Sequence, residues 1–317
     1  RDAEIKKGAV GPVYGSLLVS SATVGCPQVT QEIGLHDGIR RIDFANRILK
    51  DSSSNLEIYF AFPFAIDKPT FHFEGSNSVI QPLRDQFPGS NSNYYSVQHW
   101  AHVSNGKAAV TLSPLESHLV EFGGLWPCYV SQAHHGVTPP GFGSDFIGHD
   151  DLRRGHIYSF VLDSNFRTNF QPVQQGDLLF RYGLTTHTDG WETGQPRDFG
   201  WGMANPLLAA AADGPREGQL PLSTSFCGTD RNNVLVSAFK RAEDGVGLVV
   251  RLTETAGISG KVRLEFPFLH LERAYATNLV EENEAPLAVR PHALEVPIKA
   301  FGLATVRLLP SVEGTAG

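Results

Sequence analysis

The chain has 317 residues, 41% of them hydrophobic and 19% charged, a balance that belongs to a folded globular protein and leaves room for two domains. A formal net charge of -7 gives no general attraction to nucleic acid or to an anionic membrane surface, so neither is expected as a partner. With 32 Gly, 20 Pro and 20 Phe against a single Met, the composition leans toward many short strands joined by turns.

The chain opens on Arg1, its only methionine is Met203, and residues 1–10 hold no signal-peptide core. A segment ahead of Arg1 is therefore expected to be missing. No apolar run approaches the length of a membrane span. Segments 17–24, 39–49, 56–62, 157–162 and 178–186 read as strands bounded by Gly, Asn, Asp or Pro. A single helix is predicted at 205–212. The composition breaks at 209–220, where alanines give way to Asp213, Gly214, Pro215 and Gly218. The domain boundary is placed there, giving domains 1–212 and 213–317.

Beyond it the alternation is clearest. Residues 261–266 set Val262, Leu264 and Phe266 on one face and Lys261, Arg263 and Glu265 on the other. Residues 294–299 repeat the pattern with Leu294, Val296 and Ile298 inside, and 248–253 and 304–308 behave alike. Strands at this density predict an all-β protein built from antiparallel sandwiches, the second of immunoglobulin-like size. Cys26, Cys128 and Cys227 are odd in number and far apart, which argues against a disulfide framework, and no CxxC pair points to zinc. There is no Asn-x-Ser/Thr sequon, so a bacterial cytoplasmic origin is expected.

Several stretches carry a resemblance, in order along the chain. They are GLHDGIRRIDFANRIL at 34–49, EIYFAFPF at 57–64, DQFPGS at 85–90, YYSVQHW at 94–100 and LSPLESHLVEFGG at 112–124. IYSFVLDSNFRTNFQPVQQGDLLFRYGLTTH at 157–187 follows, then TETAGISGKVRLEF at 253–266, NLVEE at 278–282 and FGLATVRL at 301–308. Together they resemble the C-terminal part of the α-mannosidases of glycoside hydrolase family 38. Phe166 stands where related bacterial proteins usually have Trp, and Asp163-Ser164-Asn165 replaces a common Asn-Asn pair.

The resemblance implies a mutarotase-like β-supersandwich, lacking its first strands, followed by a smaller β-sandwich. It also implies an N-terminal barrel that binds zinc and holds an aspartate nucleophile, neither within this chain. The parent would hydrolyse α-mannosidic bonds in a zinc-dependent retaining reaction. This chain would hold no catalytic residue, no metal ligand and no activity of its own. Its expected partners are the absent catalytic segment, carbohydrate, and a second copy of itself through an exposed sheet edge. A free-standing carbohydrate-binding module and a structural interaction scaffold are the alternatives.

Retaining glycoside hydrolysis needs two carboxyls about 5–5.5 Å apart. The adjacent pairs Asp150–Asp151 and Glu281–Glu282 would point to opposite faces of a strand, and Glu254 and Glu282 are expected to cap turns. The long loop 123–155 holds Trp126 and the pair His134–His135, first choices for contact with carbohydrate or with the barrel. No metal-ligand spacing is recognisable in it. Asn165, Asn169 and Arg181 lie in the densest matching segment and are further candidates, with turn-holding the plainer role for the asparagines. Trp191 and Trp201 are expected to pack rather than to stack on a sugar.

Overall fold

In the computed structural model, which describes residues 3–54, 56–125, 147–148, 152–164, 173–188, 190–214, 218 and 220–311, the alternating segments pair into antiparallel ladders. Two units separate by internal contacts, Arg1–Gly75 with Ile80–Leu207, and Ser76–Val79 with Leu208–Gly317.

Strands β1 (Glu4–Val10), β2 (Tyr14–Thr23), β3 (Cys26–His36), β4 (Ile42–Lys50), β5 (Glu57–Asp67), β6 (Thr70–Gly75) and β7 (Ser78–Ile80) come first. They are followed by β8 (Tyr95–Ser96), β9 (Ala101–Ser104), β10 (Ala109–Pro114), β11 (Leu119–Phe122), β12 (Arg154–Asp163) and β13 (Gly176–His187). A nine-stranded sheet runs β1-β2-β3-β4-β13-β10-β9-β6-β7, and a four-stranded sheet runs β5-β12-β11-β8. Pro63 lies in β5, an edge strand, where a missing N–H breaks no ladder.

The core lies between these sheets. Phe71, Phe73, Val103, Leu112, Tyr182 and Leu184 meet Phe62, Tyr95, Val120, Phe122 and Ile157. The Phe62 and Tyr182 rings stand edge-on at 5.0 Å, and the Tyr182 hydroxyl donates to Ser159 Oγ across the sandwich at 2.9 Å. Each such side chain taken out of water contributes about 1.5–3 kcal/mol before chain entropy is counted.

The second unit begins with β14 (Gly228–Thr229), β15 (Val234–Arg241), β16 (Leu248–Glu254), β17 (Gly260–Glu265) and β18 (Leu271–Thr277). It ends with β19 (Asn283–Leu287), β20 (Val289–Arg290), β21 (Ala293–Ile298) and β22 (Leu303–Pro310). The sheets β14-β17-β21-β20 and β15-β16-β22-β18-β19 form a smaller sandwich. Val262, Leu264, Phe266, Leu294, Val296 and Ile298 are all buried in one cluster, as the alternation requires. The fold is thus all-β, a large sandwich followed by a small one.

Glu254 caps a turn as expected, accepting from the N–H groups of Ala256, Gly257 and Phe301. Glu282 does not: at 278–282 the Val280 and Glu282 N–H groups donate to Asn278 Oδ1, and the Glu282 carboxylate accepts from the Asn278 amide at 2.8 Å.

The helix expected at 205–212 is not there. Helix α1 covers Gln195–Ala204, and 205–212 is irregular and exposed. Two prolines decide this against the propensity of the alanines. Pro196 sits in the first turn of α1, where its fixed φ suits a helix start. Pro206 bars its predecessor from the helical region, and Asn205 accordingly ends the helix at φ -124, ψ 71. Alanines beyond that stop have no apolar face to bury and stay unpaired.

Candidate functional site

The outward face of the nine-stranded sheet, away from the core, carries a cleft of about 760 Å³. Its geometry follows from register. Glu32 of β3 is paired with Ala45 of β4, and Ala45 with Arg181 of β13. An acid and a base therefore face each other across one small residue, two strand spacings or roughly 10 Å apart. The next row is Gly34, Asp43 and Gly183.

Both glycines are filled by neighbours. A Cβ on Gly34 would lie 2.3 Å from the Tyr14 hydroxyl, and one on Gly183 would lie 2.7 Å from Met203 Cε. Tyr14 and Met203 thus lie flat on bare backbone and form opposite walls of the cleft.

Charge is fixed within the site. Asp43 is held by His36 Nε2 at 2.7 Å and Arg41 Nε at 3.0 Å, and an Arg41 Nη lies 3.1 Å from the same imidazole nitrogen. The Tyr14 hydroxyl donates to Glu32 at 3.2 Å, and its ring stands 4.9 Å from that of His36. Burial, followed by the Glu32 charge, pushes the Tyr14 phenol upward, so it remains a donor. Arg181 forks onto Glu116 at 2.7 and 2.6 Å, and Glu116 also accepts the Arg181 main-chain N–H. A half-exposed pair of this kind adds little stability, but it fixes where the guanidinium points.

The far wall holds Gln98, His99 and His118. Buried Glu74 orders it, accepting from Trp201 Nε1 at 2.8 Å and pairing with His99 Nδ1 at 2.8 Å. The Trp201 ring packs 4.3 Å from His99, and the Trp191 ring 5.6 Å from His72. Both tryptophans pack, as expected.

Beside the cleft the same face carries a buried polar row. His102 Nδ1 lies 3.2 Å from Thr111 Oγ1, which lies 2.9 Å from His187 Nε2. His72 sits directly across from His102 in the β6–β9 ladder. Among the described residues, no three His, Cys, Asp or Glu side chains are grouped to hold a metal ion.

Of the candidates read from the sequence, Arg181 lies in the cleft. Trp126, His134, His135, Asn165 and Asn169 lie outside the described residues, as do Asp150 and Asp151. Glu281 and Glu282 do not converge: Glu281 pairs with Lys240 at 2.7 Å, while Glu282 bonds Asn278. The sequence reading missed Tyr14, Glu32, Arg41 and Asp43, because alternating charges on a strand look like a solvated face. The usable signal was a glycine inside each of two strand patterns, Gly34 and Gly183, which marks a close approach by something else.

Residues 233–306 match the family described as glycosyl hydrolases family 38 C-terminal beta sandwich domain. No curated protein matches the chain. Among solved structures, the chain resembles an alpha-mannosidase from Enterococcus faecalis V583 over 96% of its own length, with TM-score 0.69 and 16% identity. It resembles a protein of glycosyl hydrolase family 38 from Enterococcus faecalis equally, with TM-score 0.69 and 17% identity over 96%. The chain spans only 35% and 36% of those two proteins, about a third of their length. At such identities the likeness is one of fold, and it is the match at 233–306 that carries the relation by sequence. Residues 233–306 are therefore similar to the glycosyl hydrolase family 38 C-terminal β-sandwich domain, within an all-β fold that the chain shares over nearly its whole length with these two bacterial proteins.

Proposed function

We propose that this chain is the non-catalytic C-terminal β region of an α-mannosidase-like glycoside hydrolase. The parent would cleave α-mannosidic bonds with retention, using zinc held by a catalytic segment outside these 317 residues. The observation that carries the reading is the family 38 match at 233–306. The described residues do not fit a zinc site, so no step through zinc is assigned to them. A bacterial setting belongs to the same proposal, since both matched structures are bacterial.

The catalytic segment is the proposed partner, and the β1 end of the large sheet offers it a surface. Ile5, Leu17 and Leu35 share one face there and are 65%, 47% and 57% exposed. β1 is an edge strand of its sheet. Apolar faces and open edges of this kind recruit strands or other chains.

Hydrolysis of an aryl α-mannoside by the purified chain tests the reading. The expected rate is the uncatalysed background, with and without added zinc. Turnover that tracks the chain through successive columns would overturn it.

A further inference from the structure

The cleft over the nine-stranded sheet is built as a binding site, although its charges are already nearly matched. Its lining carries Arg41 and Arg181 against Glu32 and Asp43. With Glu116 bonded to Arg181, three carboxylates stand against two guanidiniums, too even a balance to select a phosphate, a polyanion or a metal ion by field alone. A dication would face the two guanidiniums as well as the carboxylates, and an anion would meet the reverse.

What remains unspent is hydrogen-bonding capacity. Glu32 uses one oxygen on Tyr14 and keeps the other. The Gln98 amide, the His118 imidazole and His99 Nε2 line the cleft with no partner among the described residues. Donors and acceptors are thus interspersed around one space, whereas a charged ligand would need one kind to dominate. The Tyr14 ring, the Met203 thioether and Leu115 add apolar surface between these polar groups. Apolar surface with converging polar groups is the usual form of a small-molecule site.

A saccharide matches this pattern. Each hydroxyl both donates and accepts, and each pyranose presents a C–H face that packs on an aromatic ring or a thioether. We propose that the cleft bounded by Tyr14, Glu32, Ala45, Arg181 and Met203 binds a neutral saccharide, with a ring lying over Ala45 between Glu32 and Arg181. This deepens the module reading by giving the module a ligand of its own, and it rests on that reading only for the choice of mannose as first probe. Because the site lies wholly within the first unit, the relation at 233–306 stands whether or not a sugar binds.

The test is a titration of the full chain with methyl α-mannopyranoside and with a linear mannotriose, followed by amide chemical shifts. Methyl glucoside, inorganic phosphate and magnesium serve as comparators. Saturable, millimolar binding of one or both mannosides is expected, with shifts confined to the cleft lining on β2, β3, β4, β13 and α1 and at 98–99 and 114–118. Glu32→Gln should weaken it roughly tenfold, the equivalent of one charge-assisted hydrogen bond. Ala45→Phe should abolish it by filling the floor, and Lys261→Ala in the second unit should leave it unchanged. If Ala45→Phe unfolds the chain, Gln98→Ala, on the exposed far wall, replaces it and should weaken binding severalfold. Four results would overturn the proposal: no saturable binding of any of the three glycosides, preference for phosphate or magnesium, shifts outside the cleft, or binding indifferent to these substitutions. Preference for the glucoside would keep the saccharide site and correct the choice of sugar.

Discussion

Glu254→Ala should destabilise the C-terminal sandwich by about 3 kcal/mol or more, because four donors lose one acceptor. Glu254 is fully buried at the end of β16. Its carboxylate accepts from Asn233 Nδ2 at 2.6 Å, the N–H groups of Ala256 and Gly257 at 2.8 Å each, and the N–H of Phe301 at 2.7 Å. It therefore ties the turn after β16 to the turn before β22. Phe301 has φ 51, a conformation costly for a side-chain-bearing residue. Burial pushes the Glu254 carboxyl upward, but the N–H groups of Phe301 and Ala256 and the Asn233 amide outweigh it, and the net shift is downward. The ionised form is the one that folds. Its stabilisation is present above the ordinary carboxylate range and is lost as pH falls below it. Glu254→Gln keeps the volume but turns an N–H toward other N–H groups, so it should cost nearly as much as alanine. Denaturant midpoints of both variants measure this. Losses below about half a kcal/mol would mean that water replaces the carboxylate freely.

Acid should loosen the first unit in a window set by its buried histidines. Burial pushes His72 down to about 4 and His102 down to about 3, and neighbouring imidazoles push His102 further in the same direction. Glu192, Asp85 and Arg84 are the charged groups facing His72, the two acids raising it and the arginine lowering it. Unfolded histidine titrates near 6.5, so below that pH the unfolded chain binds protons that the folded chain refuses. Stability is then full above about pH 6.5 and falls toward pH 4 by about 1.4 kcal/mol per unit for each such histidine. His72 alone should account for about 3 kcal/mol across that range. The segment that packs its Trp191 on His72 should detach first. Chemical denaturation at half-unit pH intervals, with His72→Phe alongside, checks the sign and the source. The variant should have a shallower slope between pH 6.5 and 4; an identical slope would place the acid sensitivity elsewhere.

Much of the fold was legible because burial on one face of a strand imposes a period of two. The faces Val262/Leu264/Phe266 and Leu294/Val296/Ile298 are buried together as that period requires. The helix was misplaced by following alanine propensity through 205–212, while the physical stop lay one residue into that stretch at Pro206. The cleft was not legible for a different reason. Glu32, Ala45 and Arg181 are neighbours only through the β3–β4–β13 register, and nothing local in the chain states that β13 pairs with β4. Arg181 was singled out by its place in a matching segment rather than by its chemistry. The two glycines show what could have been used. A residue that leaves bare backbone in the middle of a strand implies that something lies on it, and here Tyr14 and Met203 do.

The measurement that bears most directly on the proposed module is the intact mass and N-terminal sequence of the native protein isolated from its source. The expected result is a polypeptide well beyond 317 residues that includes a zinc-binding catalytic segment, or this chain held beside a second piece of the same precursor. A native protein of 317 residues alone, monomeric in dilute solution and with no catalytic segment beside it, would contradict the proposal.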